Sequence, residues 1–131
     1  MQIIENQLSV EDYRNMRKVS GLSEKTLMAA EIALKNTLHS VAILNDNKVI
    51  GIGRIVGDGG AFAQVVDVCV HPDFQRRGVG KMIMENLMSY INTLPTSCYI
   101  SLLADGDAKY LYEKYGFKET APDSVGMAIK I

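Results

Sequence analysis

The residues best suited to chemistry lie in one run, Gln75-Arg76-Arg77-Gly78-Val79-Gly80-Lys81, between the apolar stretch Val65–Val70 and apolar residues at helical spacing. A strand that feeds a basic, glycine-spaced turn at a helix start makes an anion site. The first helical N–H groups lack partners there, and the helix dipole adds positive charge. Gly78 and Gly80 remove side chains that would block a phosphate and permit positive φ. Arg76, Arg77 and Lys81 bring charge and donors suited to a diphosphate. Two other phosphate motifs do not fit. A Gly-x4-Gly-Lys-Ser/Thr loop fails because Met82 follows Lys81 and the earlier glycine is missing. The dinucleotide fingerprint fails because its third glycine would fall at Met82 or Ile83.

Two carboxylates stand out next. Asp67 interrupts an otherwise apolar strand, where it must be paired, solvated or functional. Asp105 closes the apolar run Cys98–Ala104, at the strand end where open sheets bind ligands. Each is a candidate to bind an amine or relay its proton, and each is equally suited to a turn cap or a structural hydrogen bond. His71, before Pro72 at a loop start, reads as a surface residue, and His39 has no polar constellation beside it. With two histidines far apart and no Cys/His cluster, no metal site is expected. Cys69 and Cys98 lie in apolar runs and read as buried free thiols of a reducing compartment. The seven methionines fall mostly at helical packing spacings.

The elements that position these residues fit one domain, residues 1–131. At 47% hydrophobic and 22% charged, the composition is that of a globular protein. A net charge of −1 offers no electrostatic case for nucleic acid or a membrane surface as partner. No apolar run approaches a bilayer span, and Met1–Glu11 lacks the pattern of a signal peptide, so a cytoplasmic protein is expected. Met1–Asn6 opens as a short strand. Ser9 with Asp12 caps a helix to about Lys18, and Ser23 caps a second to about Leu38, with Leu27, Ala30, Leu34 and Leu38 on one face. Val41–Leu44 and Val49–Val56 form a hairpin through Asn45–Lys48, and Gly57–Gly60 turns into a third strand, Ala61–Val70. Ile83, Met84, Leu87, Met88 and Ile91 mark a helix that ends before Pro95. Cys98–Ala104 follows as a strand, then a short helix through Ala108, Leu111, Tyr112 and Tyr115 that Gly116 ends. Phe117–Glu119 and Val125–Ile131 are expected to close the fold as a hairpin. The segment Ala61–Ala104 reads as a right-handed parallel crossover on an antiparallel meander, which makes the class α+β.

Gln75–Gly80 resembles the signature Gln/Arg-x-x-Gly-x-Gly/Ala of the GNAT superfamily of N-acetyltransferases. A second pattern of that family, Ala-x-x-x-Tyr-x-x-x-Gly-Phe, is matched by Ala108, Tyr112, Gly116 and Phe117 in the family's order. Val66–Val70, and Leu103–Asp105 followed by Tyr112, look closest to a branch containing bacterial acetyltransferases and plastid enzymes that acetylate arylalkylamines. The resemblance implies a mixed, mostly antiparallel sheet with a splayed parallel pair, helices on both faces, and acetyl-CoA as co-substrate. It places the pantetheine arm along the backbone of Val68, Cys69 and Val70, in the gap between the splayed strands. It assigns the pyrophosphate end to Gln75, Arg76, Arg77, Gly78, Val79, Gly80 and Lys81. Many relatives carry Asn where this chain has Asp105, and several carry a glutamate base where it has Gln64.

Amide formation from a thioester needs a neutral amine, a stabilised oxyanion and a protonated leaving thiolate. An alkylammonium has a pKa of about 10.4, so a base or water chain must accept its proton. A thiol leaving group of pKa near about 8.5 can be protonated by a tyrosine of pKa about 10. Tyr112 fits that role by its place in the Tyr-x-x-x-Gly-Phe pattern; its other reading is a core aromatic. Tyr110 and Tyr115 read as packing residues. Asp105 and Asp67 rank as amine-binding or water-relay groups, and a backbone N–H near Val70 as the oxyanion donor. The expected activity is acetyl transfer from acetyl-CoA to a primary amine by direct attack in a ternary complex. The acceptor is a small aryl or alkyl amine, or a protein lysine or N-terminus. The alternative is a non-catalytic acyl-CoA-binding sensor or interaction module, which the missing glutamate at Gln64 favours and Tyr112 opposes. A homodimer stays open.

Overall fold

Local capping residues start the fold much as the sequence implies. The computed structural model describes residues 1–131 and opens with β1 (Gln2–Glu5). Ser9 Oγ accepts the Asp12 N–H at 3.1 Å and begins α1 (Val10–Val19). The next helix departs from expectation: α2 spans Leu27–Lys35 and is capped by Thr26, whose hydroxyl accepts the Ala29 N–H at 3.1 Å. Ser23 does not cap it, because its carbonyl and hydroxyl accept from Arg17 at 2.8 and 3.1 Å. β2 (His39–Asn45) and β3 (Lys48–Gly57) form the expected hairpin. Its turn residues Asp46 and Asn47 have φ of 50° and 63°, the pair of positive values a type I′ turn needs.

Asp58 makes the following turn by accepting the N–H groups of Gly60, Ala61 and Phe62 at 2.8, 2.9 and 3.1 Å. β4 (Phe62–Val70), α3 (Val79–Ile91), β5 (Tyr99–Ser101) and α4 (Lys109–Glu113) complete the elements. The sheet order is β1-β2-β3-β4-β5, antiparallel except for the parallel pair β4–β5. This is the expected α+β mixed sheet, with helices on both faces. Val41, Ile43, Ile55 and Val65 pack under Val79, Ile83, Met84 and Leu87 of α3. On the other face Ala42, Ile52 and Cys69 meet Tyr13, Met16 and Ala30 of α1 and α2.

Four further expectations are corrected. β5 is shorter than Cys98–Ala104, and the final hairpin of Phe117–Glu119 with Val125–Ile131 is not formed. Val125, Met127, Ile129 and Ile131 alternate as a strand would, yet all are exposed. A two-stranded hairpin with one arm of three residues is marginal on its own, and no ladder from the sheet captures it. His39 does have polar partners, brought by distant elements. Its Nε2 lies 2.8 Å from Asn86 Oδ1, Asn86 donates to Glu5 Oε1 at 2.7 Å, and the imidazole stacks on Tyr90 at 4.7 Å. Both cysteines are free, but only Cys69 is fully buried, its thiol pushed up to about 11, first by desolvation; Cys98 is half-buried. No helix is long and apolar enough to cross a membrane.

The approach of α3 to the sheet depends on two glycines of β3. A Cβ on Gly51 would lie 2.7 Å from Val79 Cγ1, and one on Gly53 would lie 2.8 Å from Ile83 Cγ2 and 3.0 Å from Leu87 Cδ1. Gly53→Ala should therefore destabilise by about 1–3 kcal/mol through overpacking. Gly60→Ala is the control: its added Cβ meets only Asp58 Oδ1 at 3.8 Å, so its effect should stay within about 0.5 kcal/mol. Urea unfolding monitored by circular dichroism compares the two.

Candidate active site

The site begins where the parallel strands part. β4 and β5 pair only from Phe62↔Tyr99 to Gln64↔Ser101, while β4 continues to Val70. The outer edge of Val65–Val70 therefore has no strand beside it, the splay expected from the sequence. On the other edge, Ile52 pairs with Cys69 and Arg54 with Val66, so Asp67 and Val68 together face Gly53 alone. This is a β-bulge, which bends its strand and adds twist. Asp67 sits in it at φ 60°, a value uncommon outside glycine.

Asp67 is held there by charge. Its carboxylate accepts from Arg17 Nη1, from Arg54 Nε at 2.8 Å and from Tyr13 Oη at 3.1 Å. The side chains of Arg17, Arg54 and Asp67 are only 9%, 7% and 5% exposed. Arg54 also donates to Ala33 O at 3.2 Å and Thr37 Oγ1 at 2.6 Å, and its guanidinium lies 5.1 Å from the Tyr13 ring centre. Burial, then the Asp67 charge, raises the Tyr13 hydroxyl above its ordinary pKa. The cluster ties α1, the end of α2, β3 and β4 together. Sequence reasoning singled out Asp67 alone and missed Tyr13, Arg17 and Arg54. The signal was available for Arg54, a cation in an otherwise apolar strand, and for Arg17, which follows Met16 on the buried side of α1.

Beyond β4 the basic, glycine-spaced turn runs into a helix start, as expected. Pro72–Phe74 makes one turn of 3-10 helix, with His71 Nδ1 accepting the Asp73 N–H at 3.1 Å. Gln75 Nε2 donates to Val70 O at 3.4 Å. Gly78 caps α3 at φ 81° with no side-chain cap bond, and a Cβ there would meet nothing within 4 Å. The first N–H groups of α3 are thus free and open. Gly80 differs from expectation: it lies inside α3 without positive φ, and a Cβ on it would only touch Leu111 Cδ2 at 3.4 Å. Val79 is buried in the core, so its side chain takes no part in the surface of the turn. Arg76, Arg77 and Lys81 are exposed around the turn; Arg77 covers the Phe74 ring at 5.2 Å, and Lys81 lies 3.9 Å from Glu85.

A cleft of about 1100 Å³ joins these parts, lined by Val68–Val70, Gln75, Gly80, Gln64, Asp105 and Tyr112 together with the Asp67 cluster of Tyr13, Arg17 and Arg54, and by Ser20–Ser23 and Lys25. Tyr112 is 9% exposed, with Phe117 edge-on at 6.3 Å. Burial, then the Asp105 charge, raises its hydroxyl above the ordinary tyrosine pKa. Gly116, at φ 93°, ends α4 with Phe117 N–H to Tyr112 O at 3.3 Å and Gly116 N–H to Glu113 O at 3.2 Å. Asp105 precedes the 3-10 turn Gly106–Ala108 with no side-chain cap bond. The two candidate carboxylates therefore part company: Asp67 is engaged by arginines, and Asp105 is free. Tyr110 is 57% exposed, which corrects its reading as a packing residue, whereas Tyr115 is half-buried with its hydroxyl 3.5 Å from Lys81 O.

Comparison with known proteins bears on the family and the fold. Residues 35–119 match the family described as Acetyltransferase (GNAT) domain. The uncharacterized N-acetyltransferase ycf52 of Pyropia yezoensis is 33% identical over 109 residues, which are 80% of this chain and 62% of that protein. The chain thus spans about three fifths of that relative's length, 62%. The protein of the same name from Gracilaria tenuistipitata var. liui is 30% identical over 133 residues, 94% of this chain and 72% of its own. Among solved structures, a probable acetyltransferase of unknown function from meticillin-resistant Staphylococcus aureus is 42% identical. Its TM-score is 0.94, and the match covers 99% of this chain and 98% of that one.

The Asp67 cluster yields a stability test. Asp67→Asn keeps the shape but leaves two buried guanidiniums without a counter-charge, which should cost about 3–5 kcal/mol. In guanidinium titrations the midpoint should fall with little change in m. A variant as stable as the parent would show that the arginines do not depend on the carboxylate.

Proposed function

The chain belongs to the acetyltransferase (GNAT) domain family, and from that premise we propose that it transfers an acetyl group from acetyl-CoA to a primary amine by direct attack in a ternary complex. The observation that carries this reading is one cleft holding a protonated, buried Tyr112, a free Asp105, and the unpaired edge of β4 next to the open start of α3. The fit to acetyl-CoA rests on that edge and that helix start. Val68, Cys69 and Val70 offer backbone groups to an extended arm. Gln75 through Lys81 offer free N–H groups, three cations and, at Gly78, space where a side chain would stand.

Acetyl-CoA supplies an acyl thioester; the remaining chemistry falls to the chain. Asp105 draws in the ammonium and takes its proton directly or through water, leaving a nucleophilic amine. A backbone N–H near Val70 stabilises the negative oxygen. Tyr112 gives its proton to the departing sulfur as the C–S bond breaks, and regains one from the second N–H proton that the nitrogen sheds as the amide forms. Asp67, held by Arg17 and Arg54, shapes the cleft and does not act as the base. The acceptor is a small aryl or alkyl amine, as in the branch that the sequence resembles, or a protein lysine or N-terminus. Two free thiols agree with a cytoplasmic location.

Calorimetry and thermal unfolding test the reading. Acetyl-CoA should bind in the micromolar range and raise Tm, since it binds only the folded chain; adenine nucleotides without pantetheine should bind far less well. The absence of both heat and thermal shift overturns it.

Tyr112→Phe tests the acid. Binding of acetyl-CoA should be unchanged, and kcat on an accepted amine should fall about 10²–10⁴-fold. Because the folded pKa of Tyr112 is raised, its proton is lost only as pH climbs above the ordinary tyrosine value of about 10. The alkaline limb of the parent's rate profile should lie there and vanish in the mutant. An unaltered kcat would make Tyr112 a packing residue.

A further inference from the structure

The part of the cleft built by α1, the α1–α2 connection and β3 carries more positive charge than its own structure needs. Arg17, Lys25 and Arg54 line it, and Asp67 is the only carboxylate between them. One carboxylate offsets one guanidinium. The second guanidinium stays buried beside the cleft, and Lys25, half-exposed, makes no ion pair. The chain as a whole has net charge −1, so this excess is local to the cleft. Uncompensated charge with low-dielectric walls attracts a counter-ion and repels a second cation. Ser23 adds a donor: its oxygen accepts from Arg17 Nη2 at 3.1 Å, which leaves its hydroxyl proton uncommitted.

We propose that the cleft selects an amine that also bears an anionic group, a carboxylate or a phosphate, seated against Arg17, Lys25 and Ser23, with Arg54 reinforcing the field. The amine half of this statement rests on the acetyl-transfer reading; the anion half rests on the charge of the flank alone. The ammonium faces Asp105 while the anion meets the basic flank, so a zwitterion satisfies both ends. An amine without an anion leaves the excess charge unmatched, and a polyamine adds repulsion to it.

Matched pairs decide the point: phosphoethanolamine against ethanolamine, and β-alanine against its amide, each titrated calorimetrically into the free chain. The anionic member of at least one pair should bind about tenfold or more tighter, and the advantage should shrink as salt rises. Which pair discriminates identifies phosphate or carboxylate as the preferred group. In Lys25→Gln, which removes a half-exposed cation with no ion pair to lose, the advantage should drop several-fold while Tm stays near the parent's. Equal binding within both pairs, no binding by either anionic member, or an advantage untouched by Lys25→Gln overturns the proposal. If acetyl-CoA binds and the pairs do not discriminate, only this proposal falls. If the pairs discriminate and acetyl-CoA does not bind, only the acetyl-transfer reading falls.

Discussion

One carboxylate shared by two guanidiniums governs the shape of the cleft. Asp67 occupies a backbone conformation that a non-glycine residue avoids, and its bonds to Arg17, Arg54 and Tyr13 hold it there. The bulge that results lies just beyond the last β4–β5 pair, Gln64↔Ser101. A bent strand cannot keep a straight parallel partner, so β4 runs on alone and offers its backbone to whatever enters the gap. Desolvating three charged groups is expensive, and the cluster offsets that cost by satisfying them mutually: no buried side-chain nitrogen or oxygen lacks a partner. The same arginines then line the cleft, so the device that opens the gap also sets its charge.

Helix α3 couples the core to the basic, glycine-spaced turn. Its inner face, Val79, Ile83, Met84 and Leu87, is fully buried against the sheet, and the bare backbone at Gly51 and Gly53 lets it sit close. Its first residues, by contrast, keep their N–H groups free, because Gly78 supplies no capping side chain. An ordinary globular helix would gain stability from a serine or aspartate at that position. Giving up the cap leaves the positive end of the helix open beside the end of β4, next to the unpaired edge. Packing of one face thus aims the unsatisfied end.

Much of the candidate site was legible in the sequence because its parts are contiguous. The turn Gln75–Lys81 needs only strand before, glycine within and helix after, all readable along the chain. Tyr112 was legible for the same reason, through its spacing to Gly116 and Phe117. What the sequence left ambiguous was the division of labour between Asp67 and Asp105, since nothing in a linear pattern says which carboxylate meets an arginine. Ser23 misled for a related reason. It has the chemistry of a helix cap, but a guanidinium six residues earlier claims both of its oxygens. Gly80 misled in a smaller way: it is an ordinary helical residue, where positive φ had been expected.

The sequence by itself determined the elements whose causes are local: the Ser9 cap, the Asp46–Asn47 turn, the order of strands and helices, and the glycine-spaced basic turn. Each depends on residues within a few positions of one another, and backbone preferences act at that range. Only the tertiary structure decided the pairings across the chain: Arg17 and Arg54 on Asp67, His39 on Asn86 and Glu5, and the parting of β4 from β5. It also decided that the alternating pattern of Val125–Ile131 finds no ladder, because a strand needs an edge to join and a pattern does not provide one. The physical reason is that charge pairing and strand pairing are contacts between segments far apart in sequence. Which of the compatible partners meet is settled by packing, when α1 and α3 close on opposite faces of the sheet.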